Sequence, residues 1–221
     1  MVFDQAWAST PAARAAALDR EQCFAELRAR KIAFTEVASA RGVLAPVRLP
    51  ADVGGVVYRT ELPVAQRAQA PWDVFDCRVV LALDDWSSKL LARGFSEVIL
   101  FSAWRPPPKT WPQGQEATRH PGALAVDVKK LVRAVDPTTG APRSDIVVER
   151  DWAPRLGAPV CGGDAPAANP DTVEGREIRA IACEIEDAHL FTVMLTPHYD
   201  RAHHNHLHLE ITPGVTWRLT R

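Results

Sequence analysis

The chain has 221 residues, of which 47% are hydrophobic and 24% charged, and its formal net charge is −1 at pH 7. This length and composition predict a folded globular protein, and we expect a single domain over residues 1–221. A net charge close to zero argues against a dedicated nucleic-acid binder, which needs a basic surface. No apolar run approaches the roughly 20 residues that span a bilayer, and residues 1–13 lack the regions of a signal peptide.

The cysteines are four in number and widely spaced, at Cys23, Cys77, Cys161 and Cys183. Without a Cys-x-x-Cys pair, a thiolate zinc site is not expected. Four cysteines can form two disulfides in three connectivities, which would imply an oxidising compartment. The alternative is that they are small apolar residues of the core. The residues themselves leave both interpretations open.

The first predicted element is a helix over about residues 10–31. Thr10 is a suitable N-cap and Pro11 suits the first turn, and a run of alanines, leucines and arginines follows. Residues 45–60 differ, because valines there are broken by Pro50 and a glycine pair. Short strands and turns are expected in that stretch.

The rest of the chain alternates helices with short apolar runs. Helices are predicted at residues 76–93 and 174–190, and strands at 98–101, 123–128, 146–148, 191–195, 206–211 and 215–219. Residues 135–175 are rich in Pro, Gly and Asp, and are interpreted as a loop-rich insertion or lid. The pattern predicts an α+β fold in which helices flank a small, mostly antiparallel sheet.

Four of the seven histidines lie between residues 203 and 208. From His206 to Glu210, polar residues alternate with Leu207 and Leu209, which is the period of a half-buried strand. His206, His208 and Glu210 then share one face, where two imidazoles can share a metal ion or a bound water. A solvated patch is the alternative. Three other histidines, His189, His198 and His204, are predicted to be structural.

His120 and Asp127 are the other candidate ligands. His120 lies in a loop that feeds a predicted strand, and Asp127 shares a face of that strand with small alanines. With His208 they form a set of two imidazoles and one carboxylate, which is typical of a catalytic zinc site. Each also has an ordinary interpretation, Asp127 as a turn former and His120 as a loop residue beside Pro121.

Taken together, His120-x6-Asp127 and His206-x-His208 resemble the zinc peptidase group that includes lysostaphin, D-Ala-D-Ala carboxypeptidases and the hedgehog signalling domain. Residues 102–105, Ser-Ala-Trp-Arg, resemble the Ser-Gly-Tyr-Arg element of the D-Ala-D-Ala branch. Residues 75–78, 182–183, 191–195 and 203–209 resemble the bacterial extensin-like C-terminal domain in particular, and the resemblance covers roughly residues 23–211. It implies a hedgehog/D-Ala-D-Ala-peptidase-like fold with a zinc-peptidase-like core over about residues 70–221.

The resemblance also assigns roles. His120, Asp127 and His208 match the ligands of Zn2+. His206 matches a histidine that orients or protonates groups at the metal, and His203 matches a residue that acts on the attacking water.

Substrate binding is assigned to the element at residues 102–105. Arg105 matches an arginine that holds the substrate carbonyl or carboxylate as charge develops, which suits a fixed guanidinium fork. Ser102 and Trp104 are expected to contribute to the same subsite. Trp104 and Trp111 flank the site in sequence, and both can also be interpreted as packing residues.

The chain departs from the family pattern at several positions. Thr118 and Ala123 stand where relatives usually carry Ser and Gly, and Asn205 stands where extensin-like domains often carry Asp. A cysteine that is usual near Val43 is absent, which leaves the partner of Cys23 open. The pairing we expect is Cys23–Cys77 with Cys161–Cys183.

The function implied by the resemblance is hydrolysis of peptidoglycan stem peptides by a zinc metallopeptidase, with a D,D-bond as the leading target and a periplasmic or extracellular location. The alternative is a non-catalytic zinc-containing or wall-peptide-binding module of the hedgehog type. His203, His206 and Arg105 favour the enzyme, because a purely structural zinc ion would need none of them. The sequence does not indicate the oligomeric state.

Overall fold

The structure is a computed structural model that describes residues 5–135, 138–140, 144–166 and 171–221. Its helices are α1 Gln5–Ala8, α2 Pro11–Ala16, α3 Arg20–Ala29, α4 Val64–Arg67, α5 Cys77–Ala92, α6 Val148–Asp151 and α7 Val173–Asp187. Its strands are β1 Thr35–Glu36, β2 Pro46–Arg48, β3 Val57–Thr60, β4 Phe75–Asp76, β5 Phe95–Leu100, β6 Ala125–Arg133, β7 Ile146–Val147, β8 Val193–Leu195, β9 Leu207–Glu210 and β10 Leu219–Thr220. Short 3-10 turns lie at Pro71–Asp73, His120–Gly122 and Arg201–His203.

The strands form two sheets. The smaller is antiparallel, with the order β1-β2-β4, and the larger has the order β10-β8-β9-β6-β5-β3, with β7 paired to β6. In the larger sheet the β10–β8 and β3–β5 pairs are parallel and the remaining pairs are antiparallel. The expected α+β class is confirmed, and the main sheet is mixed because parallel pairs lie at both of its ends.

The predicted helices at residues 76–93 and 174–190 are both present. Asp76 caps α5 by accepting a hydrogen bond from the Arg78 N–H at 3.0 Å. Gly94 follows the helix with φ +81°, a conformation that favours glycine. Thr172 caps α7, whose last residue is Asp187, three residues before the predicted end.

The single helix predicted over residues 10–31 is wrong, because α2 and α3 are separate. Asp19 starts α3 with a reciprocal pair of hydrogen bonds: its carboxylate accepts from the Gln22 N–H at 2.8 Å, and the Gln22 side chain accepts from the Asp19 N–H at 3.1 Å. Such a capping box begins a helix, so the chain turns at this point although its composition favours continuous helix.

Both expected disulfides are present. Cys23–Cys77 joins α3 to α5, and Cys161–Cys183 joins the segment before α7 to that helix. The two cross-links are consistent with an extracellular or periplasmic location.

Residues 135–175 contain packed structure in their described parts. Strand β7 pairs with β6, Trp152 and Val160 are buried, and the Cys161–Cys183 disulfide ties the stretch to α7. The predicted strand at 146–148 corresponds to β7. Residues 136–137, 141–143 and 167–170 of the predicted insertion or lid lie outside the described residues.

One hydrophobic core cluster extends from α2 and α3 through α5 to the strands of the main sheet and to α7. Trp86 lies within it, with its ring 6.3 Å from Tyr58 and 6.4 Å from Phe191. In the part of the chain that the structure describes, no helix is both long and apolar enough to cross a membrane.

Candidate metal centre

Two neighbouring strands of the main sheet carry one half of the site. Strand β9 lies between β6 and β8, and His208 is the register partner of Asp127 on β6. Leu207 and Leu209 are fully buried on the opposite face, as the alternation predicts. Asp127 and His208 are also buried, which is unusual for polar side chains and requires that each be paired.

His120 reaches the same point from a 3-10 turn. Its Nδ1 lies 2.7 Å from the Ala103 carbonyl oxygen, and its Nε2 lies 3.0 Å from Oδ1 of Asp127. Arg119, which precedes it, has φ 55° and ψ −144°, a conformation that costs about 1–3 kcal/mol for a residue with a side chain. The turn is held by the Arg119 carbonyl, which accepts the Leu124 N–H at 2.9 Å and the Gly122 N–H at 3.1 Å.

The hydrogen-bonding capacity of these groups requires a proton or a metal ion between them. A carbonyl oxygen only accepts, so Nδ1 of His120 donates to Ala103, and a neutral ring then faces the Asp127 carboxylate with a lone pair. His208 has its Nδ1 3.0 Å from Oδ1 of Asp127 and its Nε2 3.2 Å from Oε2 of Glu210. Both nitrogens of His208 therefore face carboxylates. Either protons or a metal ion must therefore lie between these nitrogens and the carboxylate oxygens.

The donor set fits a metal ion. One ligand atom from each of His120, Asp127 and His208 lies within 4.8 Å of the other two. Ligand atoms around a tetrahedral zinc ion lie about 3.3 Å apart, given bonds of about 2.0–2.1 Å. The 3.0 Å separations are close to this spacing, so the buried group can hold a metal ion.

The contacts behind the ligands set the orientation of their rings. Glu210 accepts from His208, and its other oxygen accepts from the Thr212 hydroxyl at 2.7 Å. On the other side, the Ala103 carbonyl holds His120. Metal-bound histidines usually have such a carboxylate or carbonyl behind them, because it fixes the tautomer and increases the basicity of the ring.

Charge coupling within the cluster shifts several pKa values. Burial opposes ionisation of Asp127, but the close contacts of its carboxylate with the rings of His120 and His208 outweigh burial and hold the pKa of the carboxyl well below its usual range. Burial lowers the pKa of His208, and the hydrogen bonds to Asp127 and Glu210 reverse this and raise it above its usual value. Glu210 shows the complementary shift: burial opposes ionisation, and His208 and Thr212 lower its pKa.

His203 and His206 lie beside the ligands on the turn that precedes β9. Nδ1 of His203 donates to Oδ1 of Asp200 at 2.7 Å, which leaves its Nε2 as the basic nitrogen. The ring of His203 lies 5.0 Å from that of His206 and 5.8 Å from that of His208. Nε2 of His206 is 3.4 Å from Oδ1 of Asp127, and burial lowers the pKa of His206 to about 4, so this ring is neutral at pH 7.

Arg105 completes the group around Asp127. Its Nη2 pairs with Oδ2 of Asp127, and its Nε donates to the Ser102 hydroxyl at 2.9 Å. The Arg105 side chain is 53% exposed, so it extends to the edge of the site. Ser102 is buried and lies behind Arg105. The Trp104 indole N–H donates to the Pro121 carbonyl at 3.1 Å, so its polar group is used within the fold.

A cavity of about 560 Å³ opens over the cluster. Its lining includes the three candidate ligands together with His203, His206 and Arg105, whereas Ser102 and Trp104 do not line it. Two half-exposed aromatic residues, Tyr199 and Trp217, form part of its wall. An open space beside three protein ligands is typical of a catalytic metal site, in which a fourth position is left for water or substrate.

Comparisons of the chain with protein-family models, with curated proteins and with solved structures found no match. The residues of the cluster and their geometry are therefore the basis for a functional conclusion.

Some contributors were not predicted from the sequence. Asp200 is one: it caps the Arg201–His203 turn and orients His203, and its position three residues before a histidine is a weak signal. Tyr199 and Trp217 were also not predicted. Glu210 was expected on the site face, and the structure places it against His208. His204 is exposed, and His198 is buried outside the site.

Proposed function

We propose that this protein is a zinc-dependent peptidase that hydrolyses peptide bonds of bacterial cell-wall peptidoglycan, with D,D-bonds as its targets, on a hedgehog/D-Ala-D-Ala-peptidase-like fold. The observation that carries the proposal is the convergence of His120, His208 and His206 on one buried carboxylate oxygen of Asp127, at 3.0, 3.0 and 3.4 Å. The cavity above this point gives a substrate access to the group.

The assignment of zinc follows from the chemistry of the donors. Two imidazoles and one carboxylate suit zinc, whereas calcium and magnesium prefer sites made of oxygen ligands. A zinc ion held there supplies a Lewis acid that makes water nucleophilic at neutral pH and polarises a carbonyl group.

The remaining side chains have the placement that hydrolysis needs. His203, with Nδ1 fixed by Asp200 and Nε2 basic, accepts the proton of the attacking water and returns it to the leaving amine. His206 is neutral at pH 7 and positions the reacting groups next to Asp127. Arg105 offers its guanidinium to the oxygen on which negative charge develops, and Ser102 holds the guanidinium in place.

The substrate assignment rests on the resemblance of residues 102–105, 120–127 and 203–209 to cell-wall peptidases. A periplasmic or extracellular location agrees with two disulfides. Zinc binding without turnover remains the competing function, and the experiment below separates the two.

The test has two parts. Purified protein should contain about one equivalent of zinc by elemental analysis, and His208→Ala should lose it; a variant with full zinc content would refute the ligand assignment. Purified peptidoglycan is then digested with wild-type protein, and the released muropeptides are identified by mass spectrometry. New termini at a D,D-bond support the enzyme, whereas zinc-loaded protein that releases nothing from several wall types indicates a binding module.

A further inference from the structure

A second polar cavity lies beside the loop that joins Arg105 to His120. It has a volume of about 610 Å³ and lies between residues 39–44 and residues 109–116; we call it the outer pocket. The loop that forms one of its walls leaves the site at Arg105 and returns to it at His120, and the Arg105 N–H donates to the His120 carbonyl at 3.1 Å. Both ends of this loop therefore belong to the metal centre, and its middle belongs to the outer pocket.

The two walls of the outer pocket are joined by close contacts. The Ala117 N–H donates to the Gly42 carbonyl at 2.8 Å, and Arg41 donates to the Pro108 carbonyl at 3.3 Å. A Cβ at Gly42 would lie 2.8 Å from the Pro121 oxygen, so only glycine permits this approach. Glu116 is paired with the buried Arg78 at 3.3 Å. These contacts preform the pocket before any ligand arrives.

The polar groups of the pocket are available to a ligand. Among the residues that the structure describes, Arg41 and Lys109 have no carboxylate partner, and the side-chain amides of Gln113 and Gln115 have no hydrogen-bond partner. The lining therefore offers two cations and two amide groups in one cavity. The one acidic side chain among the lining residues, Glu116, is already paired with Arg78.

Trp111 supplies the apolar part of the lining. Its indole N–H already donates to the Gln115 carbonyl at 2.9 Å, so the ring presents its apolar faces rather than a donor. The side chain is partly buried, which fixes the ring at low entropic cost. A flat apolar ring beside amides and cations complements a pyranose ring, which has apolar C–H faces and polar edges.

We propose that the outer pocket binds a saccharide that carries a carboxylate group. A pyranose ring stacks on Trp111, Gln113 and Gln115 bind its hydroxyl or acetamido groups, and Arg41 and Lys109 pair with the carboxylate. The proposal deepens the proposed function and rests on it for the identity of the ligand. The ligand is then a glycan strand in which a muramoyl residue without a stem peptide keeps its lactyl carboxylate and occupies the outer pocket, while the peptide of a neighbouring residue extends to the metal centre.

The test uses three probes and isothermal titration calorimetry. The first probe is the disaccharide–peptide that a muramidase releases from peptidoglycan. The second is the disaccharide from which an amidase has removed the peptide, so that the lactyl carboxylate of the sugar is free. The third is the stem peptide alone. Wild-type protein should bind the free disaccharide, and should bind the disaccharide–peptide more weakly at the outer pocket because its lactyl carboxyl is amide-bonded to the peptide. Trp111→Ala should bind them about tenfold more weakly and the stem peptide equally well. The matched control is Trp72→Ala, which removes a half-exposed tryptophan from outside the pocket.

Charge recognition is tested with Lys109→Gln, which changes an exposed side chain that takes no part in the contacts between the two walls. This variant should bind the free disaccharide more weakly than wild-type protein does. When the carboxylate of the disaccharide is reduced to an alcohol, the variant and the wild type should bind it equally. The proposal is overturned if wild-type protein fails to bind the disaccharide, or if Trp111→Ala binds it as tightly as Trp72→Ala does. Equal losses for acid and alcohol overturn the assignment of the carboxylate.

His208→Ala separates this proposal from the proposed function. This variant lacks a candidate metal ligand and should still bind the disaccharide through the outer pocket. In the wild-type protein, saccharide binding without peptide release would refute the peptidase and leave the pocket assigned. Cleavage of the stem peptide by a wild-type protein that does not bind the disaccharide would refute the saccharide site and leave the peptidase in place.

Discussion

Nδ1 of His208 lies 3.0 Å from Oδ1 of Asp127, and these two residues are direct partners in the β6–β9 register. The sheet itself therefore sets the spacing between an imidazole and a carboxylate. The third candidate ligand, His120, comes from a turn and needs its own support, which the Ala103 carbonyl supplies at 2.7 Å.

Glu210→Gln should weaken metal binding about 10–100-fold, because an amide behind His208 replaces a charged acceptor. Glu210 is buried, and its oxygen lies 3.2 Å from Nε2 of His208. Competition with a chromogenic zinc chelator measures the affinity. The matched control is Glu149→Gln, whose side chain is 65% exposed and should leave the affinity unchanged. Equal affinity in the two variants would show that Glu210 does not support His208.

His203→Ala should retain zinc and lower kcat about 10²–10⁴-fold, the usual contribution of a positioned acid or base. Asp200→Asn should lower kcat by a smaller factor, because the ring remains and loses only its charged partner at 2.7 Å. Steady-state turnover of a stem-peptide substrate, with metal content determined on the same samples, checks both. Loss of zinc from His203→Ala would instead make this residue a ligand.

The two disulfides should contribute unequally to stability. Cys23–Cys77 closes a loop with a sequence separation of 54, and Cys161–Cys183 closes one of 22. Because a cross-link restricts the unfolded chain more when the loop is longer, removal should cost about 4 and about 3 kcal/mol, respectively. Urea unfolding of the two paired Cys→Ala variants measures the difference. The reverse order would show that native-state contacts outweigh loop entropy here.

His198 should make the protein less stable as the pH falls. Burial and the charges of Arg179 and Arg155 lower the pKa of His198 to about 4. Between pH 6.5 and pH 4 the unfolded chain binds a proton at this residue and the folded protein does not, so stability decreases as the pH falls through this window and levels off below it.

The change in free energy of unfolding across that window is about 2–3 kcal/mol. His198→Gln should remove this part of the pH dependence, while His204→Gln, which changes an exposed histidine, should keep it. Urea denaturation at a series of pH values measures both. Parallel curves for wild type and His198→Gln would show that His198 titrates normally in the folded protein.

Local patterns predicted much of the fold correctly. The alternation from His206 to Glu210 indicated a strand with Leu207 and Leu209 in the core, and both are fully buried. The helix at residues 76–93 was predicted from its apolar side and the glycine that follows it, and the structure adds the Asp76 cap. Such signals are local, since they depend on neighbours within a few residues.

Other features depend on residues that are distant in sequence. The parallel pairing of β10 with β8 and of β3 with β5 has no signature in either strand. His198, predicted to be an ordinary turn residue, is buried because Trp152 and Arg179 pack around it, with the rings of His198 and Trp152 5.3 Å apart.

The candidate site was predictable in part, because some of its features follow from local residue patterns and others depend on the folded arrangement. His120, Asp127 and His208 were selected by residue type, spacing and resemblance, and the structure brings them together. The contact between Arg105 and Ser102 follows from their separation by three residues in one loop. The strand period placed Glu210 on the same face as His208, whereas the contact between their side chains is seen only in the structure.

The position of β9 between two other strands gives the site two different timescales. His208 moves only when hydrogen bonds on both sides of its strand break, so its amide proton should exchange with solvent only through large openings of the sheet. His203 lies on a three-residue turn outside the ladder, and this turn can open locally. A metal ion bound by His208 would therefore be released only as slowly as the sheet opens, whereas a substrate of the proposed peptidase could enter past the turn that carries His203.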